Sequence, residues 1–428
     1  MFLVTQAKTA KTASKKLAFV STESKNKALY RIAEGLKQNT QAILEANAED
    51  VILAQKSTDV RDHTNLKRSN SMIDRLMLNE DRIKAIAADV IKVAVLKDYV
   101  DDVIEDRVLK NAIRLQRVRV PIGVIGCIIE SRPNVTVDVA TLCLKSGNAV
   151  FIKGGSEAIN TNRVLVRIMK EALGQSEVPF EAVQFLDSTD RAIVHEFLKL
   201  HEYIDLMIPR GSQKLIQFVR ENASMPVIGA GGAIVHLYID KFADVQKAVP
   251  VVINSKTRRV SICNALDTLL IHKDVPAEFF EKLKRQLEKY KVKIYADKRV
   301  YALFEGKYPY LQHAGEMDFD REFLDFAFAV KMVDSMDEAM EHIEKHGLRH
   351  TDAIVTEDHA RAERFLKSVD SACVYHNIST QFTDGGQFGL GSEVAISTQK
   401  LHARGPFALE GLTTYKWIAR GNGQVREP

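Results

Sequence analysis

The sequence predicts an α/β protein built on doubly wound parallel sheets. Three observations carry this. From Pro121 onward, short apolar runs alternate with helix-length segments, a pattern that folds into a parallel sheet with helices on its faces. Between Ala327 and Tyr375 the alternation recurs, as a second α/β unit. Upstream of both, residues 5 to about 97 carry helical periodicity. At 428 residues the chain is long enough for two or three domains.

In chain order, Leu29, Ile32, Ala33 and Leu36 share one helical face, and Ile73, Leu76, Ile83, Ile86, Val90 and Ile91 share a later one. Asn79-Glu-Asp-Arg reads as a helix start, with Asn79 as cap and acids in the first turn. Residues 98 to 107, dense in acids, read as a loop. Ala112 to Val120 largely alternates apolar and polar residues, the mark of a half-exposed strand. Its Arg114, Arg117 and Arg119 suit an anion site, but a solvated strand face or a subunit edge is the better reading.

Strands are expected next at Ile122–Ile129, Ala149–Ile152, Val183–Leu186, Ile204–Ile208 and from Val227 through Ile239. Helices are expected between them at Val137–Lys145, Asn160–Leu173, Arg191–Leu200 and Gln213–Asn222. Ligands on such sheets bind beyond the carboxyl ends of the strands, so those loops are the candidate sites. In Glu130-Ser-Arg-Pro-Asn134, Asn134 suits a helix cap or an amide donor to an oxyanion. Lys153-Gly-Gly-Ser-Glu157 sets a cation beside backbone that can approach a nucleotide ribose or phosphate, and reads equally as a plain turn. Pro209-Arg-Gly-Ser-Gln213 opens a helix with Ser212 as its cap. Gly229-Ala-Gly-Gly-Ala-Ile imitates a dinucleotide fingerprint but lacks the last glycine and precedes a strand, so it reads as a turn.

A helix from Ala243 to about Val252, which Pro250 is expected to kink or end, leads to Asn254-Ser-Lys-Thr-Arg-Arg-Val-Ser-Ile-Cys263-Asn264. This basic loop delivers one cysteine to the strand-like run Ala265 to Ile271. Lys256, Arg258 and Arg259 favour a thiolate there, able to carry an acyl group as a thioester; the other reading is a small buried thiol. Residues 276–290 read as a helix. Strands at Ala327–Val333, Ala353–Thr356 and Ala372–Tyr375 then alternate with helices at Met336–Lys345 and Ala360–Val369. His342, His346 and His350 are spaced to line one helix face. Gly347 ends that helix before the third, and no glutamate follows His342, so they read as solvated surface rather than a metal site. The tail is rich in glycine, and its Asp384, Glu393, Lys400, His402 and Arg404 suit a small zwitterionic substrate or a flexible connector.

A net charge of +4 argues against nucleic acid or an anionic membrane as partner. The apolar start Met1 to Val4 is too short for a signal peptide, and no apolar run is long enough to cross a bilayer. Cys127, Cys143, Cys263 and Cys373 form no CxxC pair, which argues against a disulfide framework and a structural zinc. A cytoplasmic protein with reduced thiols is expected.

Five stretches, in this order, resemble the γ-glutamyl phosphate reductases, a branch of the aldehyde dehydrogenase superfamily. They are Glu130-Ser-Arg-Pro-Asn-Val-Thr, Lys145-Ser-Gly-Asn-Ala-Val, Ile208-Pro-Arg-Gly-Ser, Cys263-Asn-Ala-Leu-Asp-Thr-Leu-Leu-Ile-His, and Gly389-Leu-Gly-Ser-Glu through Ile396-Ser-Thr-Gln-Lys-Leu-His-Ala-Arg-Gly-Pro406. The resemblance implies an aldehyde dehydrogenase-like fold with a cofactor domain over 1–236, an oligomerisation strand at 108–120, a catalytic domain over 237–375 and a substrate loop with a return segment over 376–428. It implies NADPH-dependent reduction of L-glutamyl 5-phosphate, with Cys263 as nucleophile and Asn134 with the Cys263 N–H holding the oxyanion. Lys153, Gly154, Ser156, Gly211, Ser212 and Glu322 fall at cofactor positions, and Arg132, Lys400, His402 and Arg404 at substrate positions. It also implies a homo-oligomer.

The chain departs from the family at Ala230 to His236, where His-x-Glu-Gly-x-Cys-His is usual. The missing glutamate argues against an oxidising, hydrolytic enzyme, because thioester hydrolysis needs an activated water. Gln381 stands where the family has arginine, and His376 where it has an aliphatic residue. Two other readings remain at this stage: another NAD(P)-linked aldehyde dehydrogenase, or a weakly catalytic relative that binds a partner such as the glutamate kinase.

Overall fold

The chain opens on the helices Phe2–Leu17, Thr22–Gln38 and Thr40–Lys56, followed by Glu80–Val95. Each turns an apolar stripe inward, with Leu29, Ile32, Ala33 and Leu36 buried on the second and Ile83, Ile86, Ala87 and Val90 on the fourth. Ser21 and Asn79 cap two of them, accepting from the N–H groups of Ser24 and Arg82. The computed structural model describes residues 2–56, 73–130, 132–229 and 231–426. Ser131, Ala230 and the 57–72 part of the expected helical region lie outside the described residues.

The chain folds as two compact units. The first comprises Met1–Ala230, Leu390–Ala395 and Phe407–Pro428, the second Gly231–Gly389 and Ile396–Pro406. The expected divisions at 236 and 375 both fall within the second unit, and the expected return segment 376–428 alternates between the two.

In the first unit β1 (Val103–Val108) and β2 (Arg114–Pro121) precede β3 (Val124–Ile129), β4 (Ala149–Lys153), β5 (Val183–Phe185) and β6 (Leu206–Arg210). The last four form a parallel sheet in the order β5-β4-β3-β6. Every residue of β3 and β4 is buried, which is why these strands read as continuous apolar runs. The expected loop over 98–107 is corrected, because its second half is β1, paired antiparallel with β2. Both faces of β1 are mostly exposed, so it has no apolar alternation to betray it. Pairing with β2 and the Asp106–Arg114 bridge (3.0 and 2.6 Å) hold it instead.

In the second unit β7 (His236–Ile239), β8 (Thr268–His272), β9 (Lys293–Ala296), β10 (Leu311–His313), β11 (Ala327–Val333), β12 (Thr351–Val355) and β13 (Cys373–His376) form one sheet. Its order is β10-β9-β11-β8-β7-β12-β13, and every pair is parallel. Leu237, Ile239, Leu269, Ile271, Phe279, Phe304 and Phe328 fill its main core. The expected long strand from Val227 resolves into two parts. Val227 makes a lone bridge to Met207 in the first unit, and β7 starts only at His236.

Two expectations are corrected here, the first only in its alternative of a helix ended by proline. Pro250 does not end its helix, which runs Val245–Thr257 and absorbs the first four residues of the expected basic loop. At the sixth helical position proline removes one backbone bond, while buried Val252, Ser255 and Lys256 anchor the turns beyond it. The three histidines are not solvated surface. His342, His346 and His350 are all buried, with His236 among them.

The tail adds β14 (Ala395–Ser397) and β15 (Gly405–Phe407), which pair with each other, and β16 (Thr413–Arg420). β16 lies antiparallel to β2 over eight residues and completes the sheet β1-β2-β16 in the first unit.

Candidate active site

In the first unit the carboxyl ends of three neighbouring strands, β4, β3 and β6, carry the expected loops. After β3, Arg132 precedes the helix Pro133–Lys145 as its N-cap residue. Asn134 is inside the first turn and caps nothing; its Nδ2 donates to Asp138 Oδ2 at 3.1 Å. Burial raises the Asp138 carboxyl to about 7.

After β4, Lys153 is buried along its stem and donates from Nζ to the carbonyl of Gly154 at 2.6 Å. Burial lowers its pKa. A Cβ at Gly154 would stand 2.3 Å from Asn162 Nδ2, so this close turn requires glycine. Ser156, exposed, starts the single turn that follows.

After β6, Ser212 caps the helix Gln213–Asn222 as expected, accepting from Leu215 N–H at 3.3 Å. Its own N–H donates to Glu130 Oε2 at 2.6 Å and its Oγ to Glu130 Oε1 at 3.1 Å. The Glu130 carboxylate thus rests at a helix N-terminus, the place where an anion is best received. Sequence reasoning passed over Glu130 because its partner lies 82 residues away.

In the second unit the segments leading into parallel strands all lie at one edge of the sheet. There the turn bearing Cys263 enters β8, Val235 enters β7, the Glu322 loop enters β11, His350 enters β12 and Asp370 leads into β13. Candidate groups therefore collect at an amino-terminal edge, opposite in sense to those of the first unit.

Cys263 is half-buried on a turn held from several sides. Lys256 Nζ donates to the carbonyl of Leu266 at 2.8 Å, and Leu266 N–H donates to Ser255. Asn264, buried, donates from Nδ2 to the carbonyls of Thr383 at 2.9 Å and Gln381 at 3.3 Å. Thr380 Oγ1 donates to the Asn264 carbonyl at 2.7 Å. The expected cation support for a thiolate is thereby changed. Lys256 is spent on a backbone carbonyl, with burial lowering its pKa to about 8, and Arg258 donates to Gln381 Oε1 at 3.2 Å.

Lys400 and Arg404 come together on Asp370. Lys400 Nζ lies 2.6 Å from Oδ2, and Arg404 donates to Oδ1 at 3.0 Å and to the Asp370 carbonyl at 2.9 Å. The Lys400 bond, then Arg404, holds the Asp370 carboxyl below the usual range. His402, between them in sequence, is exposed. Nothing in the sequence pointed to Asp370.

The histidines form a separate buried group. The His342 ring lies 5.6 Å from that of His236 and 4.3 Å from that of His346. His236 Nδ1 is 2.9 Å from Asp352 Oδ1, and His346 Nδ1 is 2.7 Å from Asp320. Burial, then the neighbouring His236, pushes His342 down to about 2, and burial pushes His350 to about 4. Among the described residues no group of three or more ligating side chains is arranged to hold a metal ion, and no helix is long and apolar enough to cross a membrane.

Two α/β units, one with polar loops at its strand ends and one with a cysteine turn at a strand entrance, define a class of thiol-bearing α/β protein. The chain belongs to the aldehyde dehydrogenase family, whose model matches residues 4–301. It is 46% identical to a γ-glutamyl phosphate reductase of Photobacterium profundum over 426 residues, 100% of each chain. It is 47% identical to one of Caldanaerobacter subterraneus over 422 residues, 99% of each. The solved structure of a γ-glutamyl phosphate reductase from Thermotoga maritima superimposes with a TM-score of 0.93 at 43% identity, covering 99% of this chain and 100% of that one. An acetylating aldehyde dehydrogenase from Geobacillus thermoglucosidasius, 20% identical, shares the fold with a TM-score of 0.70, covering 100% and 98%. The resemblance and the fold class read from the ordered motifs are borne out.

Proposed function

We propose that this chain reduces L-glutamyl 5-phosphate to L-glutamate 5-semialdehyde with NADPH, releasing phosphate, as a step of proline biosynthesis. The observation that carries this is the full-length identity to relatives bearing the name γ-glutamyl phosphate reductase, joined to a half-buried cysteine on a braced turn.

The Cys263 thiolate attacks the acyl carbon, the bond to phosphate breaks, and a thioester forms. Phosphate is a good leaving group, so no strong general acid is required. The Asn134 amide and the Cys263 N–H are assigned to the oxyanion. Asn134 already directs an N–H₂ donor, at present toward Asp138. A nicotinamide cofactor suits the donor set of the first unit: the Lys153 ammonium at one strand end for a ribose, and the Gly211-Ser212 helix start for phosphates. When bound, it supplies the hydride that converts the thioester to aldehyde and returns the thiolate to Cys263. Glu322 is assigned to the nicotinamide-side ribose, and Arg132, Lys400, His402 and Arg404 to the anionic ends of the substrate. The exposed Tyr415 and Trp417 of β16, half uncovered at 50% and 48%, support a homo-oligomer formed through the β1-β2-β16 sheet.

The test is the reverse reaction, with pyrroline-5-carboxylate as the source of semialdehyde, NADP⁺, and phosphate present or omitted. Strictly phosphate-dependent NADPH formation, lost in Cys263→Ala, is the expected result. Oxidation that proceeds equally without phosphate would refute the acyl phosphate assignment.

A further inference from the structure

Asp267 lies four residues beyond Cys263, at the entrance to β8, and is 1% exposed. Its Oδ1 accepts from the N–H of Phe323 at 2.9 Å and its Oδ2 from the N–H of Val235 at 3.2 Å. Its own N–H donates to the Val235 carbonyl at 3.0 Å, and its carbonyl accepts from Ala329 at 2.8 Å. One residue therefore ties the cysteine turn to the two segments that enter the strands on either side, β7 and β11. The second of these carries Glu322, adjacent to Phe323. Both side-chain oxygens are used as acceptors, which a carboxylate supplies and an amide does not. Lys256 stands beside the junction as the neighbouring positive charge, its Nζ 6.0 Å from the centre of the Phe323 ring.

We propose that Asp267 is a positioning residue for the reduction: it fixes the Glu322 loop against the Cys263 turn, so that a cofactor ribose held by Glu322 meets the acyl group on Cys263 in register. This rests on the roles given above to Cys263 and Glu322. Removing a buried, charged acceptor from a backbone N–H releases the loop it held, and a shift of about 1 Å at a reacting centre is costly.

The experiment compares Asp267→Asn, Glu322→Ala and the double variant in the reverse assay, alongside alkylation of Cys263 by iodoacetamide. The expected result is a roughly tenfold rise in KM for NADP⁺ in Asp267→Asn. Alkylation should stay at the wild-type rate, and the double variant should be no worse than Glu322→Ala alone. If Glu322→Ala raises that KM and Asp267→Asn does not, the positioning role is overturned and the reading of Glu322 stands. If neither raises it, the Glu322 reading falls and the proposal with it. Equal losses in KM and alkylation would reveal general damage to the turn, which also overturns the proposal. Should Asp267→Asn fail to fold, Asp267→Glu keeps the charge beside Lys256 while displacing both acceptor oxygens, and carries the same expectation.

Discussion

Lys153 shows what burial does to one side chain. Its ammonium is drawn back onto the Gly154 carbonyl, and desolvation lowers its pKa, so the free energy of its charge depends on a good acceptor. A ribose hydroxyl can replace that carbonyl. Lys153→Ala is therefore expected to raise KM for NADPH by roughly tenfold while leaving KM for the acyl substrate near its starting value. Steady-state kinetics with each substrate varied in turn will decide, and an unchanged cofactor constant would remove Lys153 from the site. Gln381 shows the reverse case, a departure that is compensated locally. Its Oε1 accepts from Arg258, and its Nε2 donates to the carbonyls of Ser255 and Arg259. The arginine usual in the family has no acceptor and would face Arg258 with like charge. Here the amide braces the backbone leading to the cysteine turn.

Among the elements, the helix Val245–Thr257 holds a proline in its interior. Pro250 is exposed and lacks the N–H that would reach the Gln246 carbonyl. Pro250→Ala is expected to stabilise the second unit by roughly 1–3 kcal/mol, seen as a higher melting temperature. An unchanged or lower value would mean that the proline sets a bend the packing requires. This element also marks where sequence reading stops. Capped amphipathic helices such as Glu80–Val95, and fully buried strands such as β3 and β4, were legible because one local pattern specifies each. β1 was not, because its partner strand and ion pairs stabilise it, not its own periodicity. The cysteine turn was legible as a motif, whereas the fate of Lys256 was not, since the carbonyl it serves becomes its neighbour only when β8 packs. Histidine spacing was visible in the sequence and histidine burial was not, for the same reason.

For the whole molecule, acid acts oppositely on the two units. His342 and His350, at about 2 and about 4 when folded, lie below the ~6.5 of an unfolded chain. The unfolded form then binds more protons, and stability falls as pH drops below that value. Asp267, raised by burial to about 6, offsets part of this in the same unit. In the first unit Asp138, raised to about 7, is stabilising as pH falls toward the ~3.9 of an unfolded carboxyl. Between pH 7 and 5 the second unit should lose about 2 kcal/mol while the first gains about 2 kcal/mol. Hydrogen exchange, corrected for its intrinsic pH dependence, should show protection falling in β7 and β12 but not in β3 and β4. A uniform change across both units would defeat this account. One feature of the topology bears on how such a chain is made. β2 gains its second partner only from β16, at residues 413–420, after all but the last stretch of the first unit and the whole of the second have been synthesised. A ribosome therefore displays β2 with one open edge for nearly three hundred residues of elongation, and an open edge is a template for wrong pairing. Emergence of residues 413–420, rather than of the 1–230 stretch, is the event that closes this sheet.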